Sequence, residues 1–315
     1  MKQLIGDSKA IQSVRKKVDS LARSGANVII TGEPGTGKSV VAECIHLQSS
    51  HSAEPFALLN LATVDELKLR SIVRAILSKR RFVNPTTSGH GNFDLSAGAT
   101  LILDELDRST LPAQNVVVDL INGILEKQYV LRLIVLLNGR VKELVKEGRL
   151  LSDFKALVKS WDTIEMPSLR DRQEDIPELI EYFVNQTAKE MDLGEVVIDV
   201  NAISILVRKD WKGNVQELKT FVEQAMMLSD DKERFMLPES LIDEQSELNS
   251  MLERIDAGID FALDRSMELI EKRILERVLK KFEFNQSRAA RFLKITEDTL
   301  RYRMKKLGIR TLHEG

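Results

Sequence analysis

Cysteine is almost absent. The 315-residue chain has one, Cys44, so no internal disulfide can form and no cysteine-based metal site can be assembled. Its setting in the apolar run VVAECIH reads as packing rather than chemistry. Long apolar runs are missing too: no stretch approaches the roughly 18 uninterrupted apolar residues of a membrane-crossing helix. The opening MKQLIGDSKA has neither the apolar core nor the cleavage site of a secretory signal. The expectation is therefore a cytoplasmic protein without a membrane partner. Internal repeats and low-complexity tracts are also lacking. Net charge is small, -2, yet unevenly spread, because residues 261–315 hold 14 Lys and Arg against 8 Asp and Glu, about +6, which leaves about -8 for the rest. A basic tail on an acidic body suits a polyanion partner for the tail.

What is present is enough apolar material, 43% of residues, to bury a sizeable core, on a length that suits two or three domains. The run NVIITGEPGTGKSVVAECIH reads as a short strand from Asn27 to Thr31, a glycine-rich turn and a helix from about Lys38. Further buried strands are expected at Ala99–Leu106 and Leu131–Asn138. Strands alternating with helical stretches predict an α/β fold with a parallel sheet and flanking helices over residues 1–166. Past Pro167 the strand signal fades, and EDIPELIEYFVNQTAKEM and NVQELKTFVEQAMMLS predict a helical subdomain over 167–240. A polar stretch, 241–260, reads as a linker to an all-α unit at 261–315.

The run from Gly32 to Ser39, comprising Gly32, Glu33, Pro34, Gly35, Thr36, Gly37, Lys38 and Ser39, fits G-x-x-x-x-G-K-[ST] between a strand and a helix. Glycines let main-chain N–H groups close around phosphates at a helix N-terminus that favours negative charge. Lys38 would reach the outer phosphates and Ser39 would ligate magnesium. In LILDE, four apolar residues bury a strand that delivers Asp104 to the magnesium shell and Glu105 to the place of an attacking water. Asn138, ending the third strand, either polarises that water or simply starts a turn. The expected cofactors are ATP or ADP with Mg2+.

The segment Asn285–Ile309 has the layout of a helix-turn-helix. Ala289 and Ala290 allow close helix contact, Leu293 and Ile295 fill the turn, and Thr296 is placed to cap the second helix. With Leu300, Met304 and Leu307 facing inward, Gln286, Arg288, Thr296, Thr299, Arg301, Tyr302, Arg303, Lys305 and Lys306 become candidate contacts to double-stranded DNA. Leu263, Met267, Ile270, Ile274, Val278 and Phe282 predict a long amphipathic helix ahead of it. That helix is expected to pair with its copy in a homodimer, since duplex recognition by such units usually uses two-fold symmetry.

In this order, the parts resemble the NtrC-type bacterial enhancer-binding proteins, in which an AAA+ ATPase domain remodels sigma-54 RNA polymerase and a Fis-type helix-turn-helix follows. LIGDSKAIQ is similar to the family's opening, GEPGTGKS to Walker A, GATLILDE to Walker B, PSLRDRQEDI to the entry of the lid and WKGNVQEL to W-P-G-N-V-R-E-L. The resemblance implies an AAA+ P-loop NTPase with a helical lid, and a role for Asn60, in ALLNLA, restraining the Walker B glutamate. It also implies a ring assembled with nucleotide, and RNA polymerase or another regulator as partner. No receiver or sensory domain is seen ahead of the ATPase part, so control is expected from a partner, from concentration or from nucleotide.

Four departures qualify that resemblance. The family's G-A-F-T-G-A loop corresponds to RRFVNP, Arg80 to Pro85, which keeps Phe82 but has Val83 for threonine and no glycine. The second pore loop looks truncated in GILEKQYVLRLIVLLN. The arginines supplied to a neighbouring subunit's ATP have Leu151 and Leu157 nearest their positions, with Arg149, Lys155 and Lys159 as possible stand-ins, and the lid arginine is Gln216. Such an arginine contributes about 10³ to 10⁵ in rate. The expectation is a transcription regulator that binds ATP and DNA but does not remodel sigma-54 polymerase. The alternatives are a working sigma-54-dependent ATPase activator, and a partner that sequesters an intact relative.

Overall fold

A computed structural model describes residues 3–78, 82–83, 92–93, 99–229, 231–238, 263–282 and 284–309. Contacts divide the chain into two compact units, Met1–Leu241 and Ile242–Gly315.

The first unit is built on a five-stranded parallel sheet. Its strands are β1 (Val28–Thr31), β2 (Phe56–Asn60), β5 (Ala99–Asp104), β6 (Leu131–Leu137) and β7 (Asp162–Glu165), in the order β2-β5-β6-β1-β7. A separate antiparallel pair joins β3 (Phe82–Val83) to β4 (Asn92–Phe93). Both faces of the large sheet are covered, which is why β5 and β6 are buried almost throughout and mostly apolar. Alternation decides which face each side chain serves. Ile102, Ile134 and Leu136 pack with α1 (Lys9–Ser24) and α2 (Lys38–Leu47). Leu101, Leu103, Leu133 and Val135 pack with α3 (Glu66–Leu77) and α4 (Leu111–Glu126) on the other side. Two short helices, α5 (Val141–Lys146) and α6 (Ser152–Leu157), follow β6. Cys44 is buried in α2.

Three strands were expected and five are found, because β2 and β7 are edges with a weaker apolar signal. In β7 only Ile164 is buried, and β2 alternates half-buried and buried residues. Strand β5 also stops at Asp104, two residues before the expected end, and Glu105 takes a left-handed φ of 55°.

A 3₁₀ segment, Leu169–Asp175, leads into a helical lid of α7 (Ile176–Glu190), α8 (Val200–Arg208) and α9 (Asn214–Leu228), with a parallel two-residue pair of β8 (Val197–Ile198) and β9 (Arg234–Phe235). Its core closes around Trp211, 1% exposed, whose indole N–H donates to the Leu206 carbonyl at 2.9 Å and whose ring meets Phe221 edge-on. The lid's start is tied to the head of the chain. Asp175 accepts from both the main-chain N–H and the hydroxyl of Ser8, each at 2.7 Å, and Ser8 caps α1.

The second unit holds α10 (Leu263–Lys281), α11 (Gln286–Phe292) and α12 (Glu297–Lys306). Asn285 caps α11 and Thr296 caps α12. Leu275, Val278 and Leu279 of α10 are buried with Ala289, Ala290, Leu300 and Met304. The expected apolar stripe on α10 is therefore only partly covered: Val278 is buried, whereas Met267 and Ile274 are 57% and 50% exposed. Among the described residues no helix is long and apolar enough to cross a membrane. The stretch read as a linker, 241–260, lies outside the described residues, as do Arg80, Arg81, Asn84 and Pro85.

Candidate functional site

The turn after β1 is shaped by two left-handed glycines, Gly35 (φ 77°) and Gly37 (φ 100°), the second sitting at the N-terminal end of α2. A Cβ on Gly35 would fall 2.2 Å from the Gly213 carbonyl oxygen, so the main chains of turn and lid touch there. Lys38 is 7% exposed, and its ammonium donates to the carbonyls of Gly32 and Glu33 and to Asn138 Oδ1, each at 2.9 Å. Burial pushes its pKa down, and burial likewise pushes the Asp104 carboxyl up. Both shifts have the sign that a phosphate chain beside Lys38 and a divalent cation beside Asp104 would reverse.

Gly35, Thr36, Gly37, Lys38, Ser39, Asp104, Glu105 and Asn138 line one cavity of about 450 Å³. Its far wall is apolar, formed by Leu4 and Ile5 and by Leu179, Tyr182 and Phe183 of α7; Gln216 and Lys219 of α9 line it from the lid. A wider hollow of about 670 Å³ lies between α1 and the end of β7, but Lys38, Ser39 and Asp104 do not line it. Among the described residues no cluster of three His, Cys, Asp or Glu side chains can hold a metal. The donors suited to magnesium are the Ser39 hydroxyl and the Asp104 carboxylate, completed by phosphate oxygens.

Both carboxylate oxygens of Glu105 are engaged. Oε1 accepts from Arg108 Nη1 at 2.9 Å, and Oε2 accepts from Asn60 Nδ2 at 3.3 Å. Asn138 is oriented by Asp107, whose Oδ1 accepts from its main-chain N–H at 3.0 Å and its side-chain amide at 3.3 Å. The Asp107 side chain is fully buried, and its other oxygen pairs with Arg149. Gln114 fixes the segment beyond, donating to the Arg149 carbonyl at 2.9 Å and accepting from the Leu151 N–H at 3.0 Å.

Glu33 joins the turn to the lid, accepting from Arg170 Nη2 on both oxygens at 2.7 Å and from Asn214 Nδ2 at 3.0 Å. The Asn214 and Arg170 bonds hold its carboxyl below the ordinary value of 4.5. A depressed carboxyl stabilises the fold above its unfolded pKa, and that contribution is lost as pH falls through the folded one. The difference in thermal midpoint between the native chain and Glu33→Gln should accordingly be constant above about pH 5.5 and vanish on acidification below 4.5. A difference independent of pH would remove the clamp.

In the second unit Arg288, Tyr302 and Lys305 are exposed. Arg301 Nε donates to Gln286 Oε1 at 3.1 Å, joining α12 to α11. Arg303 pairs with Glu271 at 2.6 Å and Lys306 with Glu268 at 2.9 Å, so both are drawn onto α10. Thr296 and Thr299 share a hydroxyl contact of 2.7 Å within the cap of α12. Of the nine candidates, Arg303 and Lys306 are drawn onto α10 and Thr296 and Thr299 into the cap, Arg301 is exposed but engaged with Gln286, Glu297 and Asp298, and Arg288, Tyr302 and Lys305 are exposed.

Three family models match in succession: the sigma-54 interaction domain at residues 4–156, the AAA+ ATPase lid domain at 170–253 and the bacterial regulatory protein, Fis family, at 266–307. These matches support a bacterial enhancer-binding protein. Similar relatives include the transcriptional regulatory protein XylR of Pseudomonas putida, 27% identical over 96% of this chain, and the regulatory protein AtoC of Escherichia coli K12, 29% identical over 97% of it. The chain spans 56% of the length of XylR and 68% of AtoC. NtrX of Brucella abortus, solved in complex with ATP, superposes with a TM-score of 0.62 at 25% identity, over 98% of this chain and 70% of that one. The fold is that of an AAA+ P-loop NTPase with a helical lid and a Fis-type helix-turn-helix.

Leu151 and Leu157 pack against the main core, and Gln216 donates its main-chain N–H to the Gly35 carbonyl at 3.2 Å. Four residues connect α4 to β6, with Lys127 and Tyr129 both donating to the Leu77 carbonyl, at 2.7 and 2.9 Å. Reading the sequence missed Asp107, Arg108, Gln114, Arg170 and Asn214. The charged pair Asp107-Arg108 directly after Asp104-Glu105 was the available signal for two of them.

Proposed function

We propose that this chain is an ATP-binding, DNA-binding bacterial transcription regulator on the sigma-54 activator scaffold, holding its nucleotide with slow or no turnover. It acts in the cytoplasm as a repressor, an antagonist or a sigma-54-independent regulator, and it does not open sigma-54 promoters. ATP or ADP sits with Mg2+ between Ser39 and Asp104, and nucleotide serves as an assembly ligand for a homo-oligomer, a dimer or a larger ring. Double-stranded DNA meets Arg288, Arg301, Tyr302 and Lys305.

The observation that carries this reading is where the cations go. Arg108 is paired with the candidate base Glu105, and Arg149 is paired with buried Asp107 of the same chain. The remaining positions at which the family presents arginine carry Leu151, Leu157 and Gln216. Missing trans arginines remove a factor of about 10³ to 10⁵ in rate. The second reading, a working activator, is favoured by the contact between Asn60 and Glu105 and by Asn138 beside Lys38.

Phosphate release across a range of protein concentrations separates the two. The proposal expects a rate no higher than that of Glu105→Gln and flat with concentration. Turnover that climbs as the protein assembles, together with open-complex formation on a sigma-54 promoter, would establish the activator instead.

A further inference from the structure

The nucleotide cavity has a polar end at Lys38 and an apolar end at α7, and one side chain at the apolar end has a fixed polarity. Leu179, Tyr182, Phe183 and Gln186 lie on a single face of α7, at the three- and four-residue spacing of a helix, and all four line the cavity. A ligand reaching from Lys38 to this wall therefore offers its flat, apolar part to α7 and its phosphates to the turn. Gln186 is the polar exception on that face.

A carboxamide has one acceptor, its oxygen, and two donors on its nitrogen; which atom points where is decided by its partners. Gln186 Nε2 donates to Glu190 Oε1 at 2.9 Å, one turn further along α7. An ionised carboxylate only accepts, so this bond can be made by the nitrogen alone, and the oxygen is left as the group presented to a ligand. Tyr182 does not impose the same polarity, because a phenol both donates and accepts.

We infer that Gln186 selects the base of the bound nucleotide, its Oε1 accepting a hydrogen bond from the exocyclic amine of a 6-aminopurine. A 6-oxopurine places an acceptor against that oxygen and is disfavoured. Glu190 acts as the positioning residue, holding the amide so that it cannot turn and offer its N–H groups instead. The inference rests on the nucleotide reading above and names the class of base within it.

The test is equilibrium binding of magnesium ATP and magnesium ITP to the full chain. ITP differs from ATP at the purine 6 position, where the amine becomes a carbonyl. The native chain is expected to bind ATP on the order of 10-fold more tightly, the weight of one net hydrogen bond at a partly solvated site plus the acceptor clash. Gln186→Leu should weaken ATP and, by removing the acceptor clash, bind ITP at least as well as the native chain, bringing the ratio towards one; retained ITP affinity also reports an intact fold. Glu190→Ala frees the amide to turn, so ITP should gain affinity while ATP changes little. Equal affinities in the native chain, or a preference that survives Gln186→Leu, would overturn the assignment. Failure of the native chain to bind either nucleotide would overturn the nucleotide reading itself, and the base assignment with it.

Discussion

Lys38→Ala should lower the affinity for magnesium ATP by about 100-fold or more while leaving the fold nearly as stable as before. The first half follows from what the ammonium does. It is a buried cation of the cavity, held between the carbonyls of Gly32 and Glu33 and Asn138 Oδ1, and beside the space that the phosphates would share with Ser39 and Asp104. Hydrogen bonds to charged groups contribute about 1.5 to 3 kcal/mol each, so losing one or two phosphate contacts corresponds to roughly 10- to 10⁴-fold in affinity. The second half follows from desolvation. Burial already lowers the Lys38 pKa, so losing the charge offsets part of the loss of three hydrogen bonds, and the three acceptors belong to residues lining hollows that water can enter. Lys38→Arg is not a rescue, because a planar fork does not reproduce one point charge reaching three acceptors. Calorimetric titration and a thermal melt on the same samples check both halves. Unimpaired ATP affinity in Lys38→Ala would remove the phosphate site from this turn.

How much of this was legible beforehand depends on whether a residue's role is local. The turn from Gly32 to Ser39 needs a strand, a glycine-rich bend and a helix in immediate succession, so the pattern and the geometry coincide. Strands β5 and β6 are readable because a sheet covered on both faces makes them mostly apolar, whereas the edge strand β7 buries only Ile164 and leaves almost no pattern. On α10, periodicity marked one apolar stripe, but packing covers only part of it and shifts the buried side: Leu275, Val278 and Leu279 are buried while Met267 and Ile274 stay exposed. The pairing of Arg149 with Asp107 was out of reach. It joins residues 42 positions apart, and no spacing rule connects the turn after β5 to the segment before α6. Arg108 was closer to hand, three residues from Glu105, yet nothing local distinguishes a surface arginine from one that holds the candidate base. Leu151, Leu157 and Gln216 could be singled out from the sequence, but the pairing of Arg108 and Arg149 within the same chain emerges only from the fold.

Asn214→Ala should destabilise the lid by about 4 kcal/mol and weaken nucleotide binding at the same time, since this one side chain serves both. It is fully buried, and its φ of 55° lies in the left-handed region, which asparagine tolerates and alanine resists at about 1 to 2 kcal/mol. Its Oδ1 accepts from the Leu169 N–H at 2.7 Å, and removing it strands a buried donor at about 1 to 3 kcal/mol. Its Nδ2 donates to Glu33 Oε2 at 3.0 Å and to the Pro34 carbonyl at 2.9 Å, fixing the outer part of the phosphate turn against the lid. Two further substitutions divide these contributions. Asn214→Gly removes the side chain but accepts the backbone conformation, so it should recover about 1 kcal/mol of the loss while ATP affinity stays low. Asn214→Asp keeps an acceptor for Leu169 but sets a second carboxylate against Glu33, so its defect should be greatest at neutral pH and shrink as one of the two is protonated. Denaturant melts read the stability arm, and ATP titration at a temperature where every variant is folded reads the other. Stability loss with unchanged ATP affinity would confine Asn214 to the lid and break the proposed link between lid position and phosphate grip.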